Sequence, residues 1–350
     1  MNEINICFSS DNNYAIYMGN AIISILVNAD KDDELYFHIL DGGISEENKK
    51  KIDSLKEIKD FKIKYYIPDT EKYEIWRNNI TDKLEKADYI SKAAFYRLEI
   101  PNILKHLDKV LYLDCDLIIR KSLKELFSID VDNYCIAARR YSSLANSGRF
   151  NSGVMLINCK KWSDSNDIIE KKIYEHYISS PALDETLLNR VFENNIKVFE
   201  AKYNFLAYGD WAINDLQVIK DKENIHIIHY VGRKPWNLYS KSVFMQDEYW
   251  KYFFMSPWFK ENPSYYISFM IRQEIKNARK DIIDYIEERN NRIKLFGIYN
   301  YNQYFRIIFF GIRITFIKNK IINSIAWWIP VRKWRDDFRY KYTYRDIDLK

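Results

Sequence analysis

The sequence predicts an α/β protein built around a parallel sheet, and two observations support this fold class. Apolar, strand-like segments alternate with helix-like segments from the N-terminus onward, and the connections between them are short. Such alternation favours parallel strands joined by right-handed crossovers, as in nucleotide-binding sheets. In addition, residues 110–119 have the composition of a buried strand but carry two aspartates. The 350 residues leave room for one large domain and an appendage.

The N-terminal part of the chain supplies the alternating elements. Their predicted order is strand 3–9, helix 14–27, strand 34–40, helix 45–58 and strand 61–67. Ser45 suits the N-cap of the second helix, because its hydroxyl can accept a hydrogen bond from a free backbone N–H. In such sheets, ligands bind beyond the carboxyl ends of the strands. The turn after the first strand is therefore a candidate binding region.

That turn contains Asp11, Asn13 and Tyr14. Tyr14 can stack on a base, while Asp11 and Asn13 can hydrogen-bond to the edge of the base. Asp and Asn also favour turns for purely local reasons, because their side chains bond to nearby backbone groups. On this segment alone, the turn interpretation outweighs the ligand interpretation.

Asp114 and Asp116 interrupt the apolar run at residues 110–119. On a strand, positions i and i+2 face the same way, so both carboxylates are expected to point into one space. Two buried like charges repel each other, and burial of each unpaired carboxylate costs several kcal/mol. A divalent cation with oxygen ligands relieves both costs. In the alternative interpretation, the strand ends near Leu113 and the aspartates lie in a solvated turn.

Two helix-like segments carry charged residues that can either bind a ligand or stabilise the local structure. In residues 90–98, Arg97 can reach a nucleotide phosphate or a nearby carboxylate, or it can form an ordinary surface ion pair. Asp184 and Glu185 open a later helix. Acidic residues at that position also complement the helix dipole.

Two later predicted strands, 150–158 and 225–230, carry Asn151 near the start of one and His229 near the end of the other. An asparagine before a glycine in an apolar strand suits close approach of a ligand. A glycine and two cations, the second being Lys234, follow His229. This arrangement suits a third metal ligand with a diphosphate clamp beside it.

The four cysteines lie in or beside apolar segments and show no paired spacing. They are expected to be reduced core residues of a cytosolic protein. The N-terminus has no signal-type apolar stretch, and no apolar window is long enough for a transmembrane helix, so neither feature is expected.

The C-terminal residues 264–350 differ from the body in charge and are predicted to form a separate region from residues 1–263. They contain 18 lysines and arginines against nine acidic residues. Basic residues recur at sevenfold spacing within residues 304–334, where two adjacent tryptophans also occur. This pattern is typical of an interfacial helix on an anionic lipid surface, although an aromatic helix packed on the body has a similar pattern. No nucleic-acid-binding module is recognisable.

Five motifs occur in order along the chain: FSSDNNY at 8–14, KVLYLDCD at 109–116, FNSGV at 150–154, DETLLN at 184–189 and HYVGRKPW at 229–236. In order and spacing, they resemble those of glycosyltransferase family 8. These retaining enzymes include bacterial lipopolysaccharide galactosyl- and glucosyltransferases and glycogenin. The resemblance covers about residues 5–236.

The resemblance implies a GT-A fold, with one Rossmann-like domain around a mixed, mostly parallel sheet and a helical, aromatic and basic C-terminal appendage. It implies a UDP-sugar donor and Mn²⁺ bound by Asp114, Asp116 and His229. A carboxylate–imidazole set suits Mn²⁺ better than Mg²⁺, which remains the alternative ion. The implied donor contacts are Asp11, Asn13 and Tyr14 with uridine, Arg97 and Asn151 with the sugar or its neighbours, and Gly232 and Lys234 with the diphosphate. Asp184 is implied to bind the sugar hydroxyls, and Glu185 to lie against the reacting carbon.

Two departures from the family pattern affect this transfer of roles. Glu185 stands where the family usually has glutamine, so a carboxylate can act as a nucleophile or merely as a hydrogen-bonding group. The motif after His229 is one residue shorter than usual, with only Arg233 between Gly232 and Lys234. Either Arg233 or Lys234 can therefore hold the diphosphate.

The resulting expectation is a cytoplasmic enzyme, peripheral on the inner face of the cell membrane. It would move galactose or glucose from UDP-galactose or UDP-glucose to a cell-envelope glycan or lipid-linked acceptor, in lipopolysaccharide or capsule synthesis. Two alternatives remain open: a metal-dependent sugar nucleotidyltransferase and a catalytically inactive membrane-bound scaffold. The former normally has a glycine-rich basic loop after the first strand, which this sequence lacks.

Overall fold

The computed structural model describes residues 2–69, 71, 92–141, 148–179, 182–192, 195–237, 243–292, 296–300, 304–309, 312–317 and 332–343. The chain divides into two compact units, Met1–Glu274 and Ile275–Lys350. This division falls inside the long helix that begins at Pro263. The domain limits 1–263 and 264–350 remain predictions.

The first unit is organised around a mixed sheet of seven strands in the order β3-β2-β1-β4-β7-β6-β8. The strands are β1 Asn2–Ser10, β2 Asp33–Asp41, β3 Lys62–Tyr66, β4 Lys109–Leu113, β6 Ile136–Arg140, β7 Phe150–Asn158 and β8 Lys197–Val198. β1, β2, β3 and β4 run parallel to one another, whereas β7 runs antiparallel to both β4 and β6. The predicted α/β class and the mostly parallel sheet are thereby confirmed.

A smaller sheet lies in the same unit, with the order β5-β10-β9. Its strands are β5 Leu117–Ile119, β9 Phe205–Leu206 and β10 Ile227–His229. The helices of this unit are α1 Ala15–Asn28, α2 Glu46–Asp53, α3 Ile100–Ile103, α4 Lys124–Phe127, α5 Cys159–Asp164, α6 Asn166–Ser179, α7 Asp184–Phe192, α8 Gly209–Ile219, α9 Gln246–Phe253, α10 Pro257–Glu261 and the first part of α11 Pro263–Arg292. Short 3₁₀ helices occupy Ser54–Glu57, Lys92–Glu99, Ala201–Tyr203 and Lys222–Asn224.

The core forms on both faces of the seven-stranded sheet because side chains alternate along each strand. In β4, Leu111 and Leu113 pack into one buried cluster, while Val110 and Tyr112 pack into another. The first cluster also receives the apolar side of α1. Ser45 caps α2 as expected, since its hydroxyl accepts from the Asn48 N–H at 3.2 Å. All four cysteines are buried.

The run at residues 110–119 is not one strand, which corrects the sequence prediction. β4 ends at Leu113, and β5 begins at Leu117 in the other sheet. The Asp114 N–H donates to the Gly153 carbonyl at 2.8 Å, and the Asp116 carbonyl accepts from the Tyr230 N–H at 2.9 Å. These bonds turn the backbone from one sheet into the other. The aspartates therefore lie in a turn, but their side chains are only 23% and 13% exposed.

The second unit contains the rest of α11, a helix α12 at Arg332–Thr343 and three antiparallel strands. The strands are β11 Phe296–Asn300, β12 Tyr304–Phe309 and β13 Ile312–Ile317. The helical C-terminal region is confirmed, but the interfacial helix predicted across 304–334 is wrong for 304–309 and 312–317, which are strands. Those residues are rich in β-branched and aromatic side chains, which favour strands and override the sevenfold spacing of the cations. Lys320 and the two adjacent tryptophans lie outside the described residues.

None of the helices in the described part of the chain is both long and apolar enough to cross a membrane.

A buried ion pair ties the two sheets of the first unit together. Arg139 on β6 and Asp215 on α8 are 2% and 0% exposed, and their side chains meet at 2.5 and 2.7 Å. Arg139 also donates to the Asn204 carbonyl at 2.9 Å, and the Leu206 N–H lies 3.3 Å from Asp215. The pair thus fixes the segment that leads into β9.

Replacing Asp215 with alanine should destabilise the protein by about 3–5 kcal/mol, because the Arg139 guanidinium is left buried without its carboxylate. Chemical denaturation would measure this change in the free energy of unfolding. Glu223→Ala is the matched control, since Glu223 pairs with Arg120 at 3.2 Å but is 80% exposed. The control should lose less than about 1 kcal/mol. Equal losses in the two variants would contradict this role of the buried pair.

Candidate active site

Three side chains from two sheets converge at the turn between β4 and β5. The His229 Nε2 atom lies 3.2 Å from Asp116 Oδ1 and 3.8 Å from Asp114 Oδ2. One ligand atom from each of the three residues lies within 4.8 Å of the others. The antiparallel register of β5 and β10 places His229 opposite Leu117, which brings the imidazole beside Asp116.

Gly153 leaves the space in which this cluster forms. A Cβ atom at this position would lie 2.2 Å from Cε1 of His229 and 2.7 Å from Oδ2 of Asp114. Any other residue would therefore displace the imidazole or the carboxylate. Two carboxylates and an imidazole form a donor set that suits Mn²⁺. The residues present fit a divalent metal site.

Two cations of the protein itself compensate the acidic groups. The Lys234 ammonium contacts the Asp116 carboxylate and donates to the Tyr230 carbonyl at 2.6 Å. Arg97 binds Asp114 at 2.7 Å and Asp184 at 3.0 Å. Arg97 is therefore a buried bridge between carboxylates and not a surface ion pair.

Burial and charge shift the pKa values of three groups in this arrangement. Burial would raise the pKa of Asp116, but Lys234 and His229 hold it well below its usual range. Burial would lower the pKa of Arg97, but the neighbouring Asp114 and Asp184 raise it above its ordinary value. Burial, with the charges of Asp114 and Glu185, raises the pKa of Asp184 to about 6 against the opposing effect of Arg97.

A cavity of about 240 Å³ opens beside these groups at the carboxyl ends of β1 and β4. Its lining includes Asp11, Tyr14, Arg97, Asp114, Asp116 and Asp184. The structure therefore brings six of the predicted site residues around one space. Four of these residues, Asp11, Tyr14, Asp114 and Asp116, lie just after the ends of β1 and β4. This is expected for a sheet that binds ligands at the carboxyl ends of its strands.

The turn after β1 has a local role as well as a place at the cavity. The Asp11 carboxylate accepts from the Tyr14 N–H at 3.0 Å, which is ordinary turn chemistry. Burial raises the pKa of the Tyr14 hydroxyl, with a contribution from Asp116. Asn13 is exposed and is not part of the lining described above. Gly232, also exposed, has a φ of +71° that favours glycine.

Asp184 and Glu185 begin α7 but point to different places. Asp184 lines the cavity, whereas the Glu185 carboxylate bonds to the residues that begin β7. It accepts from the Tyr141 hydroxyl at 2.9 Å, from Asn151 Nδ2 at 3.1 Å and from the Ser152 N–H at 3.1 Å. Asn151 is thus placed beside Glu185, behind the metal ligands.

The sequence interpretation missed three side chains that support the site. Tyr112 donates to Asp114 at 2.9 Å, and Ser152 accepts from Arg97 through its hydroxyl at 3.0 Å. Tyr141 is the third. The alternation of side chains along β4 could have identified Tyr112, because it lies two residues before Asp114. The contacts of Ser152 and Tyr141 are long-range and leave no local signal.

The mixed α/β sheet, the carboxylate–imidazole cluster and the cavity at the strand ends agree with the GT-A fold that the sequence motifs imply. The family model for glycosyl transferase family 8 matches residues 5–239, and the chain belongs to this family.

The chain is also similar to individual known proteins. General stress protein A of Bacillus subtilis is 26% identical over 275 residues, covering 71% of this chain and 92% of its own length. Lipopolysaccharide 1,3-galactosyltransferase of Salmonella typhimurium is 26% identical over 259 residues, covering 67% of this chain and 73% of its own. The structure of galactosyltransferase LgtC with donor and acceptor sugar analogs is 25% identical, with a TM-score of 0.59 over 73% of this chain and 96% of LgtC.

Proposed function

We propose that this glycosyltransferase transfers galactose or glucose from a UDP-sugar, with retention of anomeric configuration, to a hydroxyl of a cell-envelope glycan or lipid-linked acceptor. The observation that carries the proposal is the cluster of Asp114, Asp116 and His229, with Lys234 at its edge, beside the cavity. The similarity to a galactosyltransferase of lipopolysaccharide synthesis supports the hexose and the envelope context.

In this proposal, the nucleotide and the sugar occupy the two ends of the site. Asp11, Asn13 and Tyr14 hold the uridine, because the first two have polar side chains and the third has a ring in the turn after β1. Lys234 and the backbone at Gly232 hold the diphosphate. The remaining assignments are Asp184 to the sugar hydroxyls and Arg97 and Asn151 to the sugar or its neighbours.

The chemistry requires stabilisation of the negative charge on the departing UDP. A divalent cation, with Mn²⁺ the proposed ion, supplies positive charge to the diphosphate when bound by Asp114, Asp116 and His229. Lys234 contributes a second cation at the same edge of the site, because its ammonium already lies at Asp116. Arg97 compensates the negative charges of both Asp114 and Asp184, because its guanidinium binds both carboxylates.

We further propose that departure and attack occur on the same face of the sugar, with Glu185 as a positioning residue. A carboxylate nucleophile needs a lone pair directed at the anomeric carbon. The oxygens of Glu185 instead accept hydrogen bonds from Tyr141, Asn151 and Ser152. These bonds fix the start of β7, whose Gly153 lies against the metal ligands.

Membrane association through the second unit is a separate part of the proposal. Ile275 and Ile282 on α11 are seven residues apart and are 63% and 59% exposed. Trp334 on α12 is 64% exposed and follows the exposed cations Arg332 and Lys333. Exposed apolar side chains with adjacent cations suit the surface of an anionic bilayer. The proposed location is the inner face of the cell membrane.

Incubation with Mn²⁺ and a panel of UDP-sugars should release UDP from UDP-galactose or UDP-glucose. Asp114→Asn and Asp116→Asn should abolish release while leaving the fold intact, because each variant removes a ligand charge at nearly unchanged shape. A chelator should stop the wild-type reaction, and added Mn²⁺ should restore it. Formation of a nucleotide-sugar from sugar phosphate would favour the nucleotidyltransferase instead, and no turnover with any donor would favour the scaffold.

Glu185→Gln should retain at least about a tenth of wild-type kcat, because an amide oxygen can replace the acceptor at Asn151 and Ser152. Glu185→Ala, which lacks that acceptor, should lose more. Steady-state UDP release at saturating donor measures both variants. A loss of about a thousandfold or more in Glu185→Gln, with unchanged donor affinity, would instead identify Glu185 as the nucleophile.

Full-length protein should sediment with anionic vesicles at low salt and be released at high salt. The double variant Arg332→Gln, Lys333→Gln should bind about 30-fold more weakly, since each cation near the surface contributes about 1 kcal/mol. Lys171→Gln, Lys172→Gln is the matched control, because these exposed lysines lie on α6 in the first unit. Equal binding by all three proteins would contradict the proposed surface.

A further inference from the structure

His229 has a buried hydrogen-bond partner on the side of its ring away from the carboxylates. Its Nδ1 atom lies 3.0 Å from Oδ1 of Asn204, whereas Nε2 faces Asp116. Asn204 is 0% exposed and His229 is 2% exposed, so water cannot replace this contact. Which ring nitrogen carries the proton depends on which amide atom Asn204 presents to the ring.

The orientation of the Asn204 side-chain amide follows from two groups that can each form only one kind of hydrogen bond. The Gly153 N–H can only donate, and it points at Oδ1 of Asn151 at 3.1 Å. An ionised Glu185 carboxylate can only accept, and it receives Nδ2 of Asn151 at 3.1 Å. Asn151 therefore has one possible amide orientation. Its Oδ1 also lies 2.8 Å from Asn204, so Asn204 presents its Nδ2 there.

Because Asn204 uses its Nδ2 on Asn151, its Oδ1 faces His229. A carbonyl oxygen can only accept, so Nδ1 of His229 must carry the proton. In that tautomer, Nε2 can give its lone pair to a cation bound beside Asp116. The backbone of Asn204 is held as well, since its carbonyl accepts from Arg139 at 2.9 Å.

We propose that Asn204 is a positioning residue that holds His229 in the Nδ1–H tautomer and presents Nε2 to the divalent cation. Asn204 lies outside all five sequence motifs and does not line the cavity described above. The inference rests on the metal site of the proposed function and adds a residue that sets the affinity of that site. Groups that orient a metal-bound histidine in this way typically contribute about 10–100-fold to metal affinity.

The first measurement reads the tautomer directly in the metal-free, full-length protein. Nitrogen-15 NMR of labelled histidines, with the His229 signals assigned from their loss in His229→Gln, should show a protonated Nδ1. In Asn204→Leu this signature should give way to a mixture of tautomers. In Asn204→Asp it should persist, because a carboxylate still accepts from Nδ1.

The second measurement is Mn²⁺ affinity, from the electron paramagnetic resonance signal of the free ion, with no sugar donor present. Asn204→Leu should bind Mn²⁺ about 10–100-fold more weakly than wild type, and Asn204→Asp should bind within a few-fold of it. Asn20→Leu is the matched control. Asn20 is also 0% exposed, but its side chain donates to the Tyr249 carbonyl at 3.1 Å. This control should lose stability and keep its Mn²⁺ affinity.

Two results would overturn the inference. One is an Nε2–H tautomer of His229 in the wild type. The other is wild-type Mn²⁺ affinity in folded Asn204→Leu, with folding checked by circular dichroism. Neither measurement uses a sugar donor. A protein that fails to cleave UDP-sugars but shows the expected tautomer and affinities would therefore contradict the proposed function and leave the role of Asn204 intact.

Discussion

The repulsion between the Asp114 and Asp116 carboxylates is the constraint on which the rest of the site depends. Both side chains are largely removed from water, where like charges repel strongly. The protein compensates them with its own cations, because Arg97 binds Asp114 and Lys234 contacts Asp116. The protein's own side chains therefore supply a counterion to each carboxylate.

The change of sheet between β4 and β5 is what brings the ligands together. A single continuous strand would carry both carboxylates on one face, but it would leave β10 without an antiparallel neighbour at this point. Because the backbone turns at Asp114, β5 pairs with β10 and places His229 beside Asp116. The antiparallel pairing of β4 with β7 brings Gly153 to the same turn. The site thus exists where the two sheets meet.

Much of the first unit could be predicted from the sequence, because alternation of apolar segments defines a parallel sheet and local motifs mark its strand ends. The structure brings together the three residues predicted as metal ligands, since one ligand atom from each of Asp114, Asp116 and His229 lies within 4.8 Å of the others. The strand across residues 110–119 was wrong, since hydrophobic pattern does not show where a backbone changes sheets. The helix predicted over 304–309 and 312–317 was wrong, because the regular spacing of cations does not outweigh the strand propensity of the residues between them.

The supporting residues other than Tyr112 could not be predicted, for a different physical reason. Asn204 contacts His229 because β9 pairs in parallel with β10 and because the Arg139–Asp215 pair holds the preceding backbone. Tyr141 reaches Glu185 across 44 residues of sequence. Such contacts arise from strand register and from ion pairs between distant segments. No local pattern of residue types encodes them.

The contacts of Glu185 connect its carboxylate to the metal ligand His229, which the sequence did not show. The Gly153 N–H can only donate, so it makes Oδ1 of Asn151 an acceptor whichever residue stands at position 185. Glu185 supplies the acceptor for Nδ2 of the same amide. The resulting chain of hydrogen bonds runs from Glu185 through Asn151 and Asn204 to the ring of His229. The departure from the family pattern keeps this chain and places one more negative charge near Asp184. Arg97, which bridges Asp114 and Asp184, is the cation positioned to offset that charge.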